Sequence, residues 1–311
     1  KIPNKLDPLH ITALINNGDD TTYNHLIRNM TTKLRPEHIS NMIDKGSFNV
    51  HLHLMKRMSK QLDSDHITGM INAKDPDVHE ALISSLHEKL KPKHISKLIE
   101  KGESDVHKQL INNLSDKLEP EHITALIHKN DYYVNTEIIN KLHKKLNPTH
   151  IKALIDNQDS DVYTPMMILM PDKLDRNNIS DMIKKGQSHT HTELMDIMPD
   201  KLEPHHINDI IADDNPYTHN HLLQKIPHKL EPDHIKPLVD NGYNILGIND
   251  AYNKLPTETK KVVINHVQQL SKSNHPDYAH YDNVHKHIAT PLVEQLRNSA
   301  FRRLLQESLI R

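Results

Sequence analysis

Residues Lys89–Asp116 read KLKPKHISKLIEKGESDVHKQLINNLSD, and Lys117 opens KLEPEHITALIHKN in the same register. The same 28-residue unit can be followed nine times without an insertion, with an isoleucine at Ile11, Ile39, Ile67, Ile95, Ile123, Ile151, Ile179, Ile207 and Ile235. A fixed period of this length marks a solenoid, in which each unit buries its apolar face only against its neighbours.

Each unit spells two helices. Seven of the nine have proline three residues after the opening position, as at Pro36, Pro92, Pro120 and Pro148. Proline suits the first helical residue, where its missing N–H has no partner to lose. The residue before it (Asp7, Glu119, Asn147, Glu203, Glu231) is read as the N-cap. Apolar residues follow at spacing 0, 3, 4, as in Ile123, Leu126 and Ile127. Glycine or asparagine closes this helix A at Gly18, Gly46, Gly102, Asn130 and Gly186, where a left-handed C′ residue is expected. A second cap (Asp19, Ser47, Asp75, Asp131, Asp159 or Asn215) starts helix B, whose apolar face is Val106, Leu110, Ile111 and Leu114 in the quoted unit. Neither helix is stable alone in water. The fold class expected is all-α: a right-handed α-solenoid of nine two-helix 28-residue repeats plus a C-terminal helical cap.

The boundaries expected are 1–4, the end of a preceding repeat; 5–256, the array; and 257–311, a C-terminal cap or docking segment. Lys1-Ile2-Pro3-Asn4 matches Lys225-Ile226-Pro227-His228 at the end of a unit, which implies a fragment or processed product of something longer. Pattern degrades after Gly242. Thr257–Leu270 reads as a helix, Ser271–Asp282 as a polar loop, and an amphipathic helix carrying Arg297, Arg302 and Arg303 follows Thr290-Pro291.

Composition excludes much. The chain has 311 residues, net charge −2 with histidines neutral, and no cysteine. There is no global basic field for nucleic acid or anionic membrane, and no disulfide or thiolate zinc site. No apolar run reaches the roughly 18 residues that span a bilayer. The Lys, Asn and Ile bias fits an AT-rich genome, a virus included, and the expected location is the cytoplasm or a virion assembled there. Phosphate-cradling and nucleophile-elbow motifs are absent, so no enzyme and no cofactor is expected.

Over residues 5 to about 256 the chain resembles the HEAT-like α-solenoid superfamily. The first helix also resembles that of TAL effector repeats, since Leu118-Glu119-Pro120-Glu121-His122-Ile123-Thr124-Ala125-Leu126 lines up with Leu-x-Pro-Glu-Gln-Val-Val-Ala-Ile. That resemblance implies that Asn16-Asn17, Asp44-Lys45, Glu100-Lys101 and Asp156-Asn157 face DNA bases. The second half departs from it: Glu103-Ser104-Asp105 places acid where a Gly-Gly-Lys-Gln run would hold phosphate.

Histidine is the anomaly, at 27 residues. One ladder precedes the core isoleucine (His10, His38, His66, His94, His122, His150, His206, His234, with Asn178 the exception) and is expected to fill the seam between repeats, bonded to a neighbouring carbonyl. A second starts helix B (His51, His79, His107, His191, His219, with Tyr23, Asn135 and Tyr163 elsewhere) and reads as more exposed, a candidate binding face. No two histidines are three or four residues apart, so no helical metal pair exists. His275, Asp277, His280, Asp282, His285 and His287 form one local group with metal-ligand character, read otherwise as a solvated loop. The lysine row Lys5, Lys33, Lys89, Lys117, Lys145, Lys173, Lys201 and Lys229 is explained by the helix dipole, or by a polyanion.

The function expected is a non-catalytic scaffold for protein–protein binding or assembly, the alternative being a nucleic-acid-binding helical repeat. Polar positions of helix B (His107, Lys108, Gln109, Asn112, Asn113) would line the groove, Tyr132, Tyr133, Tyr163 and Tyr217 would anchor a protein partner, and Arg302 and Arg303 would dock the array. A pH-responsive array is the third expectation.

Overall fold

The computed structural model describes residues 6–240 and 254–270, and all regular elements there are helical. The helices are numbered here in chain order. Helices A are α1 (Pro8–Asn17), α3 (Pro36–Lys45), α5 (Ser64–Asn72), α7 (Pro92–Lys101), α9 (Pro120–Ile127), α11 (Pro148–Asp156), α13 (Arg176–Lys185), α15 (Pro204–Ala212) and α17 (Pro232–Asp240). Helices B are α2 (Asp20–Asn29), α4 (Phe48–Met58), α6 (Pro76–Leu86), α8 (Ser104–Leu114), α10 (Tyr132–Leu142), α12 (Tyr163–Leu169), α14 (Ser188–Ile197) and α16 (Pro216–Lys225). The last is α18 (Thr257–Leu270).

The chain divides into two compact units, Lys1–Met170 and Pro171–Arg311. In the first, each helix A packs on the next helix A, each helix B on the next helix B, and α1, α3, α5, α7 and α9 on their own helix B. In the second, α13, α15 and α17 form one row and α14 and α16 the other, and α18 packs on α17. This neighbour-to-neighbour packing in two layers is that of an α-solenoid. No described helix is long and apolar enough to cross a membrane. The stretch after Gly242 where the pattern degrades falls mostly, and the polar loop and C-terminal helix wholly, outside the described residues.

The core is aliphatic, with Ile95, Leu98, Val106, Leu110 and Ile111 fully buried and their equivalents 28 residues away likewise. A short 3₁₀ turn closes several helices B, and the next leucine (Leu90, Leu118, Leu202) is buried beneath it.

Two local expectations are corrected. Glu119 and Glu203 make no side-chain bond to the helix they precede; only short acceptors such as Asp7, Asp63, Asn147 and Asp175 do. The closing glycines are extended rather than left-handed, with φ −87° at Gly18, −84° at Gly46, −76° at Gly102 and −77° at Gly186. At the same position, Lys74, Asn130, Gln158 and Asp214 have φ of 56°, 53°, 59° and 49°. The reason is space. A Cβ on Gly102 in its extended conformation would lie 2.5 Å from the Leu98 carbonyl oxygen and 2.7 Å from Val106. A residue with a side chain escapes by rotating into the left-handed region, at a cost of roughly 1 kcal/mol. Lys74→Gly should therefore stabilise the protein by about 0.5–1 kcal/mol, after the entropy of the added glycine, and Gly102→Ala should destabilise it by about 1 kcal/mol. Urea denaturation checks both signs; a stabilising Gly102→Ala would refute the steric account.

Candidate binding surface

The first histidine ladder is a seam from His38 onward; His10, in the same register, is exposed beside Asp7 at 2.8 Å. In His38, His66, His94, His122, His150, His206 and His234, Nδ1 accepts the backbone N–H of the helix A N-cap, from Arg35, Asp63, Lys91, Glu119, Asn147, Glu203 and Glu231, at 2.9–3.3 Å. A peptide N–H can only donate, so the ring proton is on Nε2. That proton points one repeat back: His66 donates to Pro36 O at 3.0 Å, His94 to Ser64 O at 3.1 Å, His150 to Pro120 O at 3.1 Å and His234 to Pro204 O at 3.0 Å. Each neutral imidazole thus satisfies an orphan N–H within its helix and a carbonyl of the preceding one. Asn178 reproduces the first half, its Oδ1 accepting from Asp175 N–H at 3.1 Å. Burial pushes the His38, His94 and His206 imidazoles below the ordinary histidine range.

The expectation of an exposed second ladder is overturned. His51, His79, His107, His191 and His219 are all buried, as are Tyr23, Asn135 and Tyr163. The Nε2 atoms of His51, His79, His107, His191 and His219 donate to Ile43, Ile71, Ile99, Ile183 and Ile211 carbonyls at 2.9–3.0 Å, in the last turn of helix A of the same repeat. Tyr23 and Tyr163 aim their hydroxyls at the equivalent Ile15 and Ile155 carbonyls, at 2.9 and 3.2 Å. The change between histidine and tyrosine at this position preserves a donor aimed at a carbonyl in the last turn of helix A, whereas at Asn135 the equivalent Ile127 carbonyl is reached by Asn157 instead. None of these side chains is free to meet a partner, so His51, His79, His107, Tyr163, His191 and His219 leave the candidate surface.

The lysine row is also engaged. Lys117 Nζ donates to His87 O at 2.8 Å and Glu88 O at 3.0 Å, Lys145 to Ser115 O at 2.7 Å and Asp116 O at 3.2 Å, and Lys89 and Lys201 make corresponding bonds. Gln61 stands in the row and bonds Thr31 O at 3.1 Å. These ammonium groups tie down the turn of the preceding repeat. The positions that the TAL likeness would point at DNA behave similarly: Lys45 reaches Asn16 at 3.3 Å, and Asn157 reaches Ile127 O at 3.0 Å.

What stays open is the start and the outer side of helix B. Tyr133 and Tyr217 are 65% and 68% exposed and Tyr132 41%. The Tyr132 and Tyr133 rings meet edge to face at 5.1 Å, and Lys108, bonded to Asp105 at 2.7 Å, lies 5.6 Å from the Tyr133 centroid. Tyr217 stacks on His221, which contacts Asp196 at 3.1 Å. Of the remaining groove positions, Gln109 bonds Glu80 at 3.2 Å, and Asn112 and Asn113 are exposed. Ile168 and Leu169 are exposed too (59% and 38%), a feature the sequence reading missed although most equivalent positions are polar. Among the described residues no group of acidic or histidine side chains is arranged to hold a metal; Arg302, Arg303 and the His275–His287 group lie outside them. No protein-family model, curated protein or solved structure matches this chain.

Proposed function

We propose that the chain is a non-catalytic scaffold, a right-handed HEAT-like solenoid of nine repeats, that holds a protein partner on the open side of helix B. The observation that carries this reading is the contrast between ladders and tips. Nearly all the repeated polar residues are consumed inside the array, while Tyr132, Tyr133 and Tyr217 stand exposed, the last two in the register of Asn49, Asp77, Asp105 and Asp161. Exposed tyrosine offers a large, rigid contact at little entropy cost, and such residues dominate binding energy when covered.

The test is capture from a nuclease-treated lysate of the source organism, at about 100 and 500 mM salt, with the wild type and a Tyr132→Ala/Tyr133→Ala variant. A polypeptide retained at both salts and weakened about thirtyfold by the variant is expected, since two anchors of about 1 kcal/mol each are removed. Recovery, without nuclease, of nucleic acid that disappears at the higher salt would overturn the reading.

A further inference from the structure

On the unit Lys1–Met170, the last exposed turn of each helix B presents two adjacent side chains that recur every 28 residues. They change in kind along the unit. Arg28 and Asn29 on α2 and Lys56 and Arg57 on α4 open the series. Ser84 and Ser85 follow on α6, Asn112 and Asn113 on α8, Asn140 and Lys141 on α10, and Ile168 and Leu169 close it on α12. Consecutive helices B pack directly on one another, so these pairs form a track with rungs about 10 Å apart.

The basic end is unbalanced. Helix α4 has no acidic residue, and Arg28, Lys56 and Arg57 have no ion-pair partner among the described residues. His53 lies among them, and burial first, then Arg28, Arg57 and Lys56, hold its imidazole below the usual range. A helix C-terminus favours one cation; three cations without a carboxylate favour an anion.

We propose that this track binds an extended polypeptide segment that is acidic at one end, polar in the middle and bulky apolar at the other. It deepens the scaffold reading and rests on it. Five steps of about 10 Å make about 50 Å, which a polyproline-II chain rising about 3.1 Å per residue spans in about 16 residues. With three residues per turn, such a chain presents one side chain about every 9 Å, close to the rung spacing. Carboxylates meet Arg28, Lys56 and Arg57; the asparagine pair hydrogen-bonds the backbone; aliphatic groups cover Ile168 and Leu169. A nucleic acid fits worse. The third repeat carries Asp63, Asp65, Asp75, Asp77, Glu80 and Glu88 against Lys74 alone, and an aliphatic rung gives a phosphate nothing.

The experiment is fluorescence polarisation with fluorescein-labelled peptides of about 16 residues. One has Asp/Glu, Ser/Gln and Leu segregated into three blocks and is made in both directions; another has the same residues interspersed; a single-stranded RNA of equal length is the third probe. Binding of a segregated peptide at least about tenfold tighter than the interspersed one is expected. Lys56→Glu/Arg57→Glu and Ile168→Ser/Leu169→Ser should each weaken it about tenfold, and a peptide with lysine in place of its acids should recover binding to the Glu variant. These positions are exposed, and circular dichroism melts would show the fold intact. Equal binding of the two compositions, no binding by either, or tighter binding of RNA overturns the proposal. If the peptides fail while the lysate partner still depends on Tyr132 and Tyr133, the track falls and the scaffold reading stands.

Discussion

Lowering the pH from about 7.5 to about 5 should reduce the melting temperature of this protein by about 10 °C. The cause is the state of the seam histidines. In each rung Nδ1 accepts from a peptide N–H and Nε2 donates to the preceding repeat, as at His94 with Lys91 N–H (3.1 Å) and Ser64 O (3.1 Å). Protonation places a second N–H at Nδ1, facing a donor; His66 alone has a carboxylate, Asp63 Oδ1 at 2.8 Å, to receive it. The ring must then break its bond or stay neutral.

The surrounding charges set how each rung behaves. Around His94, burial lowers the pKa against the Ser64 bond that raises it, and Lys93, Lys91 and Lys97 lower it further. Burial again leads at His206, with His205 adding to it and the Arg176 carbonyl, Glu203 and Asp209 opposing. At His38, burial and Arg35 outweigh Glu37 and the Pro8 carbonyl, and in the second ladder His107 is lowered by burial and Lys129 against the Ile99 carbonyl and Asp131. In all four the folded pKa lies below the unfolded value of about 6.5. The folded state therefore binds fewer protons than the unfolded chain just below that value, so the stability is present above about pH 6.5 and is lost as pH falls through each folded pKa. At about 1 kcal/mol for each seam hydrogen bond forfeited at His38, His94 and His206, and about as much for charging the buried His107, the loss is about 4 kcal/mol, and 2–4 °C per kcal/mol gives about 10 °C. Melts followed by circular dichroism at the two pH values measure it. Carboxylates remain mostly ionised above about pH 5, so a shift in this window reports the histidines. An unchanged melting temperature would show that the rungs tolerate protonation.

How much of this was legible in the sequence depends on the property being read. The 28-residue period determines which residues meet: His66 and Pro36, or Lys117 and His87, contact because each unit repeats the last with one register. Prolines at N1 place the helix starts, and α3, α7, α9, α11, α15 and α17 begin at them. Exposure of polar residues was not legible in the same way. Histidine at the start of helix B, varying from unit to unit, reads as a surface residue, whereas Tyr23 and Tyr163 in the same register carry the contrary signal: a residue with one donor on a ring, able to be buried if that donor finds a carbonyl. The closing glycine was ambiguous for a different reason. Glycine answers both a left-handed φ and a missing volume, and only the backbone distinguishes them; Lys74 and Gln158 at that position were the hint that a side chain forces the left-handed turn. The exposed tyrosines were readable, since Tyr133 stands where Asp77, Asp105 and Asp161 stand in other units. The graded track was not, because its meaning depends on helices B lying side by side.

The second ladder offers the sharper test of the packing argument, because the sequence already contains its own control. His107→Phe should destabilise the protein by about 1–3 kcal/mol, and His107→Tyr by much less. The Ile99 carbonyl lies in the last turn of α7, where no helical N–H remains for it, and it accepts from His107 Nε2 at 3.0 Å in a buried setting. Phenylalanine fills the space but leaves that oxygen without a partner, which costs its full desolvation. Tyrosine fills similar space and brings a hydroxyl to the same place, as Tyr23 does for Ile15 and Tyr163 for Ile155. Phe and Tyr differ by one oxygen, so their difference in urea denaturation isolates the hydrogen bond from the packing of the ring. Equal destabilisation by both would mean that ring size governs the site and that the alternation of histidine and tyrosine along this ladder has no hydrogen-bonding basis. A deficit confined to phenylalanine would place the second ladder in the structural frame, as the tie that holds each helix B against the end of its own helix A, and would leave recognition to the exposed tyrosines and the outer turns of helix B.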